Sequence, residues 1–528
     1  MRSNLLKQLL VTTALGVLLL DLGIPAASAQ PADAARQTVV AAANAMGGVD
    51  RLQAVRSLRL RGYGHEAYQD GGSEITTELN APEKMTNLTA YERVIDVVNG
   101  RTQVKYRQYR AFVFAALSMM KGQPMQQGLD GDVAFDTNAA GVRRASADVA
   151  RQRKMELLTQ PLMAVRAALD PASKLSNVRK QGELTLIDVT TAKAAEFTLA
   201  LRNDDHLPSW MKWIGPHENL GELTYRVEYS AWEPVNGVLL PMSFNTVSDF
   251  RDVVMLRLHV DRYELDVATD SLKAPADVVA APAPVQVYTV NAEVVAPGVW
   301  LMAGNNGANS VLLEFEDHLT LFELPTNRAW SEAVIAKARS VVPGKPITGV
   351  IISHHHFDHT GGLRPAVAEG MSLITQRGNV QWFQELMARP VTHFPDALSR
   401  KPRPLVTVPV DDHLQLKDKK LTVEVYKVID NNHMAHGLMA YLPQYKLLIQ
   451  GDLFDRGWEV YFWGDTYQAN VDYRHLEVER DVPIHGQVTP IAEVRSLLVK
   501  QTAQARELCN QVASAGLSMP GCPLAWDK

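Results

Sequence analysis

The chain of 528 residues is 46% hydrophobic and 21% charged, and its formal net charge is -5. This composition excludes a disordered or fibrous protein, and the length provides for more than one globular domain. The negative net charge also argues against a nucleic-acid partner, because nucleic-acid binding requires a basic face.

The first 29 residues have the features of a secretory signal peptide. Arg2 and Lys7 precede an apolar run at residues 9–20, and small residues at 26–29 offer a cleavage site after Ala29. We therefore expect a periplasmic or secreted protein with no stable membrane span after cleavage. An uncleaved anchor is the alternative, although the apolar run is shorter than the ~20 residues that a spanning helix needs.

Residues 30–272 are predicted to form a β-rich antiparallel domain. Residues 31–56 have a helical pattern, and Gly47 and Gly48 end its first helix. Several later segments alternate apolar and polar residues, as half-buried antiparallel strands do. The predicted strands are 57–62, 104–114, 184–190, 196–201, 223–229 and 253–265, and a helix is predicted around 151–168.

This amino-terminal region is similar to the half-barrel carrier proteins of the LolA type. The similarity rests on the rhythm of the strands and on turn-like segments at 130–135 and 235–241. It implies a concave face that binds an acyl chain or another apolar ligand, and a scaffold or dimerisation domain with a filled core is the alternative. An Ala/Pro-rich stretch at 273–286 then predicts an extended, semi-rigid linker.

Four potential metal ligands lie in one short loop after the linker. The loop reads His354-His355-His356-Phe357-Asp358-His359, directly after an apolar run at 349–352 that predicts a buried strand. Clustered imidazoles repel one another when charged and need hydrogen-bond partners when neutral. A divalent metal removes both problems, because neutral imidazole and carboxylate are ligands that it prefers. A histidine cluster on the surface is the alternative.

The H-x-H-x-D-H spacing resembles the signature of the metallo-β-lactamase-fold hydrolase superfamily. His433, Asp452 and His485 follow in the order of that family, and the resemblance covers about residues 287–495. It implies a protein of the α/β (α+β) class, in which an αββα sandwich over residues 287–528 follows the β-rich domain.

The resemblance also implies two adjacent metal sites. The implied ligands are His354, His356 and His433 for the first metal, Asp358, His359 and His485 for the second, and Asp452 as the bridge. A ligand set without thiolate suits Zn²⁺, and Fe and Mn are the alternatives.

A hydrolase with a small-molecule substrate is the function that this resemblance implies. Two adjacent cations lower the pKa of a shared water to about 7 and stabilise the oxyanion that develops. Asp358 is the catalytic residue, which would orient the hydroxide or pass a proton to the leaving group. The substrate would be an ester, thioester, lactone or β-lactam. Two alternatives stay open: an iron-dependent redox enzyme of the same fold, and an envelope binding or carrier protein with a structural metal domain.

Other residues near the motif allow more than one interpretation. Glu323 stands where many relatives have an Asp, and we expect it either to take over the hydrogen bonds of that Asp or to accompany a different turn. His355 is expected to point into the packing of its loop, whereas His436 either packs or faces the substrate. The aromatic residues at 458–463 and 382–383 either pack or line an apolar pocket.

The two cysteines lie near the carboxyl terminus. In an oxidising compartment Cys509 and Cys522 could pair and stabilise this segment by about 3 kcal/mol, and two free thiols are the alternative.

Overall fold

The computed structural model describes residues 31–68, 77–78, 84–112, 122–462, 466–519, 521–522 and 524. The predicted signal peptide and Trp463 lie outside the described residues. Among the residues described, no helix combines the length and apolarity that crossing a membrane requires.

An antiparallel sheet of 13 described strands makes up most of the amino-terminal region. Its strands are β1 (Ser57–Ala67), β2 (Met85–Asp96), β3 (Arg101–Arg110), β4 (Gln123–Asp130), β5 (Val133–Asn138), β6 (Gly141–Arg144), β7 (Lys174–Gln181), β8 (Leu184–Thr190), β9 (Glu196–Arg202), β10 (Pro208–His217), β11 (Gly221–Val235), β12 (Val238–Ser248) and β13 (Val254–Leu265). Their spatial order is β6-β5-β4-β3-β2-β1-β13-β12-β11-β10-β9-β8-β7. The first and last strands therefore pair at the centre of the sheet, and β6 and β7 are its edges.

Four helices among the described residues accompany this sheet. They are α1 (Pro31–Ala45), α2 (Val49–Ala54), α3 (Ala147–Leu158) and α4 (Pro161–Leu169). The single helix predicted around 151–168 is two helices, because Pro161 lacks a backbone N–H and its ring disfavours helical geometry in the residue before it. Pro161 instead begins α4, where a missing donor costs nothing.

The interior between the sheet and these helices is filled with side chains. Val39 from α1 and Leu162 from α4 are fully buried in one cluster with Leu58 and Ile95 of the sheet. A cavity of about 40 Å³ near Tyr91 has room for a few water molecules. The similarity to LolA-type carriers stays a prediction.

The predicted linker is not extended throughout. A 3₁₀ turn at Asp270–Leu272 precedes it, and helix α5 (Ala276–Ala280) lies within it. Val278 is buried, and the guanidinium of Arg144 donates a hydrogen bond of 3.0 Å to the carbonyl oxygen of Val279. This part of the linker therefore packs on the edge of the amino-terminal sheet.

Two further sheets form the carboxyl-terminal region. The first, in spatial order, contains β14 (Val290–Ala296), β15 (Val299–Gly304), β16 (Ser310–Glu314), β17 (Leu319–Phe322), β18 (Ile347–Ile351), β19 (Ser372–Gln376) and β20 (Thr407–Val410). The second contains β21 (His413–Lys417), β22 (Thr422–Lys427), β23 (Leu438–Leu442), β24 (Leu447–Gln450), β25 (Arg480–Pro483) and β26 (Thr489–Pro490). Pairing is parallel from β17 to β20 and between β24 and β25.

Helices cover the outer faces of both sheets. They are α6 (Arg328–Val341), α7 (Phe357–Thr360), α8 (Leu363–Glu369), α9 (Val380–Ala388) and α10 (Ala397–Arg400) beside the first sheet, and α11 (Thr466–Tyr473) and α12 (Ile491–Ser514) beside the second. A 3₁₀ turn at Arg377–Asn379 precedes α9.

The packing of individual strands shows the layer order. Ile351 of β18 packs between the sheets with Ile449 of β24, whereas its neighbour Val350 packs with α6 and α9. Both faces of such a strand are buried, which explains its continuous apolar sequence. The αββα sandwich preceded by a β-rich antiparallel region is confirmed.

The amino-terminal sheet packs directly against the sandwich. Leu220 and Phe250, from two turns of this sheet, share a hydrophobic cluster with Trp382 of α9. The buried carboxylate of Glu222 accepts three hydrogen bonds of 2.8–3.1 Å from the backbone N–H groups of residues 392–394. These contacts bring the amino-terminal sheet to α9 and to the segment that follows it.

Candidate metal centre

Four loops of the sandwich converge at one edge of its two sheets. The His-rich loop follows β18, Asp452 follows β24 and His485 follows β25, while His433 lies in the loop before β23. Because the parallel pair β24 and β25 ends at the same edge, Asp452 and His485 emerge as neighbours. The sheets thus bring together residues that lie up to 131 positions apart in the sequence.

His354, His356, His433 and Asp452 form the first cluster of potential metal ligands. One donor atom from each of these residues lies within 4.8 Å of the others. His354 Nε2 is 2.9 Å from His356 Nδ1, and His433 Nε2 is 2.8 Å from Asp452 Oδ2. Three imidazole nitrogen atoms and one carboxylate oxygen of this cluster therefore lie close together.

Asp358, His359, His485 and again Asp452 form the second cluster. Asp452 Oδ1 is 3.2 Å from His359 Nε2 and 3.5 Å from His485 Nε2. Asp358 Oδ2 is 3.6 Å from His359 Nε2 and 3.7 Å from His485 Nε2. Asp452 therefore turns one oxygen toward each cluster.

The donor atoms fit a pair of metal ions. Ligands around a tetrahedral Zn²⁺ with bonds of about 2.1 Å lie about 3.4 Å apart, close to the 2.8–3.9 Å separations within the clusters. Asp358 Oδ1 is buried and accepts no hydrogen bond from any residue that the structure describes. Without a cation, this oxygen would lose its hydration on burial and gain no hydrogen bond in exchange.

The electrostatic environments of the two clusters differ. Burial, together with neighbouring histidines, holds the pKa of His354 well below its usual value. Burial would also lower the pKa of His359, but Asp452, Asp358 and Glu323 outweigh it and hold that pKa well above the usual value. The first cluster thus presents neutral imidazoles, whereas a proton must leave His359 before its nitrogen can bind a cation.

Glu323 supports the second cluster from behind. Its Oε1 accepts a hydrogen bond of 2.6 Å from the backbone N–H of Ser353, and its Oε2 lies 3.6 Å from His359 Nδ1. The carboxylate is fully buried, so His359 has a negative charge on the side opposite the cluster. Carboxylates in this position orient a histidine and make it a stronger metal ligand.

Close backbone approaches hold the loops together. A Cβ at Gly451 would lie 2.4 Å from Ser353 Oγ, so only glycine lets the Asp452 loop approach the His-rich loop this closely. Asn309 binds the His485 loop through its backbone N–H to Ile484 and its side-chain amide to Gly486. Three of the four ligand loops are therefore fixed by contacts other than the candidate ligands.

The remaining histidines and aromatics of the motif region mostly pack. The buried ring of His355 lies edge-on to Trp382 with centroids 5.3 Å apart, and the half-buried ring of His436 lies over Gly378. Trp382, Tyr461 and Tyr467 are fully buried. The packing interpretation therefore applies to these residues.

Asn219 and Lys84 of the amino-terminal region both contact the His-rich loop, and neither contact is predicted from the sequence. Asn219, in the turn between β10 and β11, donates hydrogen bonds of 2.8 Å to the Phe357 carbonyl and to Thr360 Oγ1. Lys84, directly before β2, places its Nζ 3.3 Å from His356 Nε2. No local pattern marks either residue, because each contact joins segments more than 130 residues apart.

Residues 303–454 match the family model described as the metallo-beta-lactamase superfamily. The chain therefore carries a domain of this superfamily, which confirms the resemblance found in the sequence. The sequence of the whole chain matches no curated protein.

Three solved structures that are similar to the chain cover 40–43% of it. A metallo-beta-lactamase from Pontibacter korlensis is 17% identical over 40% of this chain and 99% of its own, with a TM-score of 0.32. The DIM-1 metallo-beta-lactamase is also 17% identical, over 41% of this chain and 98% of its own, with a TM-score of 0.32. The sec-alkylsulfatase Pisa1 from Pseudomonas sp. is 18% identical, over 43% of this chain and 44% of its own, with a TM-score of 0.32. Identities this low leave the substrate open.

Proposed function

We propose that this protein is an exported metal-dependent hydrolase that acts on an ester, thioester, lactone or β-lactam. The observation that carries the proposal is the position of Asp452, whose two carboxylate oxygens face different clusters of histidine and carboxylate ligands. Two divalent ions at these clusters, with Zn²⁺ as the first candidate and Fe or Mn as alternatives, would supply hydroxide near neutral pH and a positive field for the developing oxyanion.

Asp358 is the residue that we assign to proton transfer. Its carboxylate follows His356 at the start of α7, and its Oδ2 lies near both His359 and His485. Its Oδ1 has no hydrogen-bond partner among the described residues and is therefore available to orient a nucleophile or to hold a proton for the leaving group. His359 and His485 keep the carboxylate in place beside the bridging Asp452.

Export is supported by two features outside the centre. The first 29 residues have a signal-peptide pattern, and Cys509 and Cys522 form a disulfide. Disulfides persist in oxidising compartments such as the periplasm or the extracellular space.

The experiment that tests the proposed function combines metal analysis with a chromogenic panel. The metal content of the mature protein is measured first, and esters, thioesters, lactones and β-lactams are then offered. We expect about two metal ions per chain and turnover of one substrate class. Asp452→Ala should lose both activity and metal, whereas Asp411→Ala, which removes an exposed carboxylate paired with Arg377, should keep both. No turnover by protein that holds two Zn²⁺ ions would refute the hydrolase.

The same measurements separate the alternative functions. Bound iron and oxygen consumption would favour the redox enzyme, because the ligand set also accepts iron. Co-purifying lipid without turnover would favour the carrier protein.

A further inference from the structure

The side chain of Gln450 is a buried polar group at the end of an apolar strand. The other residues of β24, at 447–449, are apolar, and Gln450 itself is fully buried. A buried amide costs free energy unless its hydrogen-bonding groups find partners. Because Gln450 lies two residues before Asp452, its partners bear directly on the candidate metal centre.

All four hydrogen-bonding positions of this amide are used. Gln450 Oε1 accepts a hydrogen bond of 2.8 Å from the backbone N–H of Leu453 and one of 3.3 Å from that of Phe454. Gln450 Nε2 donates a hydrogen bond of 2.8 Å to the Phe454 carbonyl and one of 3.2 Å to Asp481 Oδ2. A side-chain amide offers two acceptor and two donor positions, so none is left over. Three of the four bonds fix the backbone directly after Asp452.

Asp481 of β25 fixes the orientation of the Gln450 amide in turn. Asp481 is fully buried, and its Oδ1 accepts a hydrogen bond of 3.1 Å from the hydroxyl of Tyr467 in α11. The backbone of Gln450 also contacts the end of β25, because its carbonyl accepts a hydrogen bond of 3.1 Å from the N–H of Ile484. His485 follows Ile484 directly, so Gln450 joins the loops of two candidate ligands.

The Asp452 loop depends on such contacts for its conformation. Residues 451–454 belong to no helix or strand. The Asp452 carboxylate faces His359 with Oδ1 and His433 with Oδ2, and metal ions would replace these contacts with bonds to the ions. The direction of each carboxylate oxygen is then set by the backbone around Asp452. A carboxylate that can rotate serves one ion well, whereas a bridge requires both oxygens to point at fixed positions.

We propose that Gln450 is a positioning residue that holds the Asp452 carboxylate in the bridging orientation between the two metal sites. This role rests on the proposed function, in which two ions share Asp452. When the first ion has bound one oxygen of Asp452, the Gln450 amide keeps the other oxygen at the remaining cluster. Gln450 thereby makes the binding of the second ion easier than the separate ligands alone would allow.

The test measures the two successive Zn²⁺ dissociation constants of the full-length protein by competition with a chelator. Gln450→Met keeps the length of the side chain and removes all four hydrogen bonds. We expect it to weaken the binding of the second ion about tenfold and that of the first ion less than about twofold, because the ion that enters first needs only one oxygen of Asp452. Urea unfolding of the metal-free protein measures the loss of stability separately.

A double variant, Gln450→Glu/Asp481→Asn, exchanges the donor and the acceptor between positions 450 and 481. A carboxylate at 450 still accepts from the N–H groups of Leu453 and Phe454, and an amide at 481 donates to it. We expect this variant to bind the second ion within about threefold of the wild-type affinity. Gln450→Glu alone places two carboxyl groups side by side and should bind the second ion as weakly as Gln450→Met.

Gln160→Met is the matched control, because it removes a similarly buried glutamine from the amino-terminal interior, where Gln160 lies beside Tyr263. It should leave the ratio of the two dissociation constants unchanged. Equal weakening of both ions in Gln450→Met, a loss of stability with an unchanged ratio, or a double variant no better than Gln450→Glu would overturn the inference and leave the proposed function standing. Wild-type protein that binds a single Zn²⁺ ion would refute the two-metal centre of the proposed function and the role of Gln450 with it.

Discussion

Asn219 offers the sharpest test of whether the amino-terminal sheet supports the candidate metal centre. Its side-chain amide donates hydrogen bonds of 2.8 Å to the Phe357 carbonyl and to Thr360 Oγ1, and the residue is only 4% exposed. The hydroxyl of Thr360 in turn donates to the His356 carbonyl at 3.1 Å. Asn219 is therefore connected to the backbone on both sides of Phe357, inside the His-rich loop.

We expect Asn219→Ala to lower the free energy of unfolding by about 2 kcal/mol, because two buried hydrogen bonds are lost at about 1 kcal/mol each. The loop that carries His356 and Asp358 should also become less ordered. Removal of groups that orient metal ligands typically weakens metal binding by 10- to 100-fold, and we expect about tenfold for this indirect support. Urea unfolding measures the first effect, and competition with a chelator for Zn²⁺ measures the second.

Asn203→Ala is the matched control, since the Asn203 amide donates an exposed hydrogen bond to Gly182 far along the chain from the loop. It should change neither Zn²⁺ affinity nor stability by more than about 0.5 kcal/mol. A destabilised Asn219→Ala protein with wild-type Zn²⁺ affinity would show that Asn219 holds the amino-terminal sheet against the sandwich but does not support the metal ligands. Unchanged stability would refute the energetic reasoning itself.

Three further predictions concern buried carboxylates and the disulfide. Glu323→Gln should lower Zn²⁺ affinity about tenfold, because it removes the negative charge behind His359; chelator competition measures this. Burial raises the pKa of Asp481 from 3.8 to about 7, so folding favours its protonated form. The stability that this carboxyl contributes should therefore fall by about 4 kcal/mol between pH 4 and pH 7, and Asp481→Asn should remove this dependence in urea unfolding. Reduction of the Cys509–Cys522 disulfide should destabilise the carboxyl-terminal segment by about 3 kcal/mol, measured by hydrogen exchange.

Each of these predictions has a contrary outcome. Glu323→Asp should keep more of the Zn²⁺ affinity than Glu323→Gln, and equal losses would show that shape rather than charge matters. If Asp481→Asn has the same pH profile as the wild-type protein, another group causes the profile. Exchange rates that are identical with and without dithiothreitol would mean that α12 needs no covalent support.

The sequence alone determines the sandwich and its candidate ligands. The apolar run at 349–352 and the His-rich loop after it are adjacent in the chain, so a buried strand and its chemistry could be predicted together. Asp452 likewise follows the apolar strand β24 directly. The end of a strand can be predicted from the local sequence. The order of the ligands along the chain, which resembles that of the superfamily, then indicates which residues at strand ends belong to one site.

Local conformation was harder to predict where two tendencies compete. The pattern at 151–168 is helical throughout, but Pro161 divides it. The Ala/Pro composition of 273–286 suggested an extended chain, but Ala276–Ala280 forms a helix whose Val278 is buried. Pro275 precedes this helix and Pro282 follows it, so neither proline interrupts its hydrogen bonds.

Only the tertiary structure decides which residues of the amino-terminal sheet meet the centre. Lys84 and His356 are 272 positions apart, and Asn219 and Phe357 are 138 apart. No periodicity or spacing in the sequence encodes such contacts, because they depend on how two separately formed sheets pack. Hydrophobic packing around Leu220, Phe250 and Trp382 sets that arrangement, and it places a lysine beside the His-rich loop.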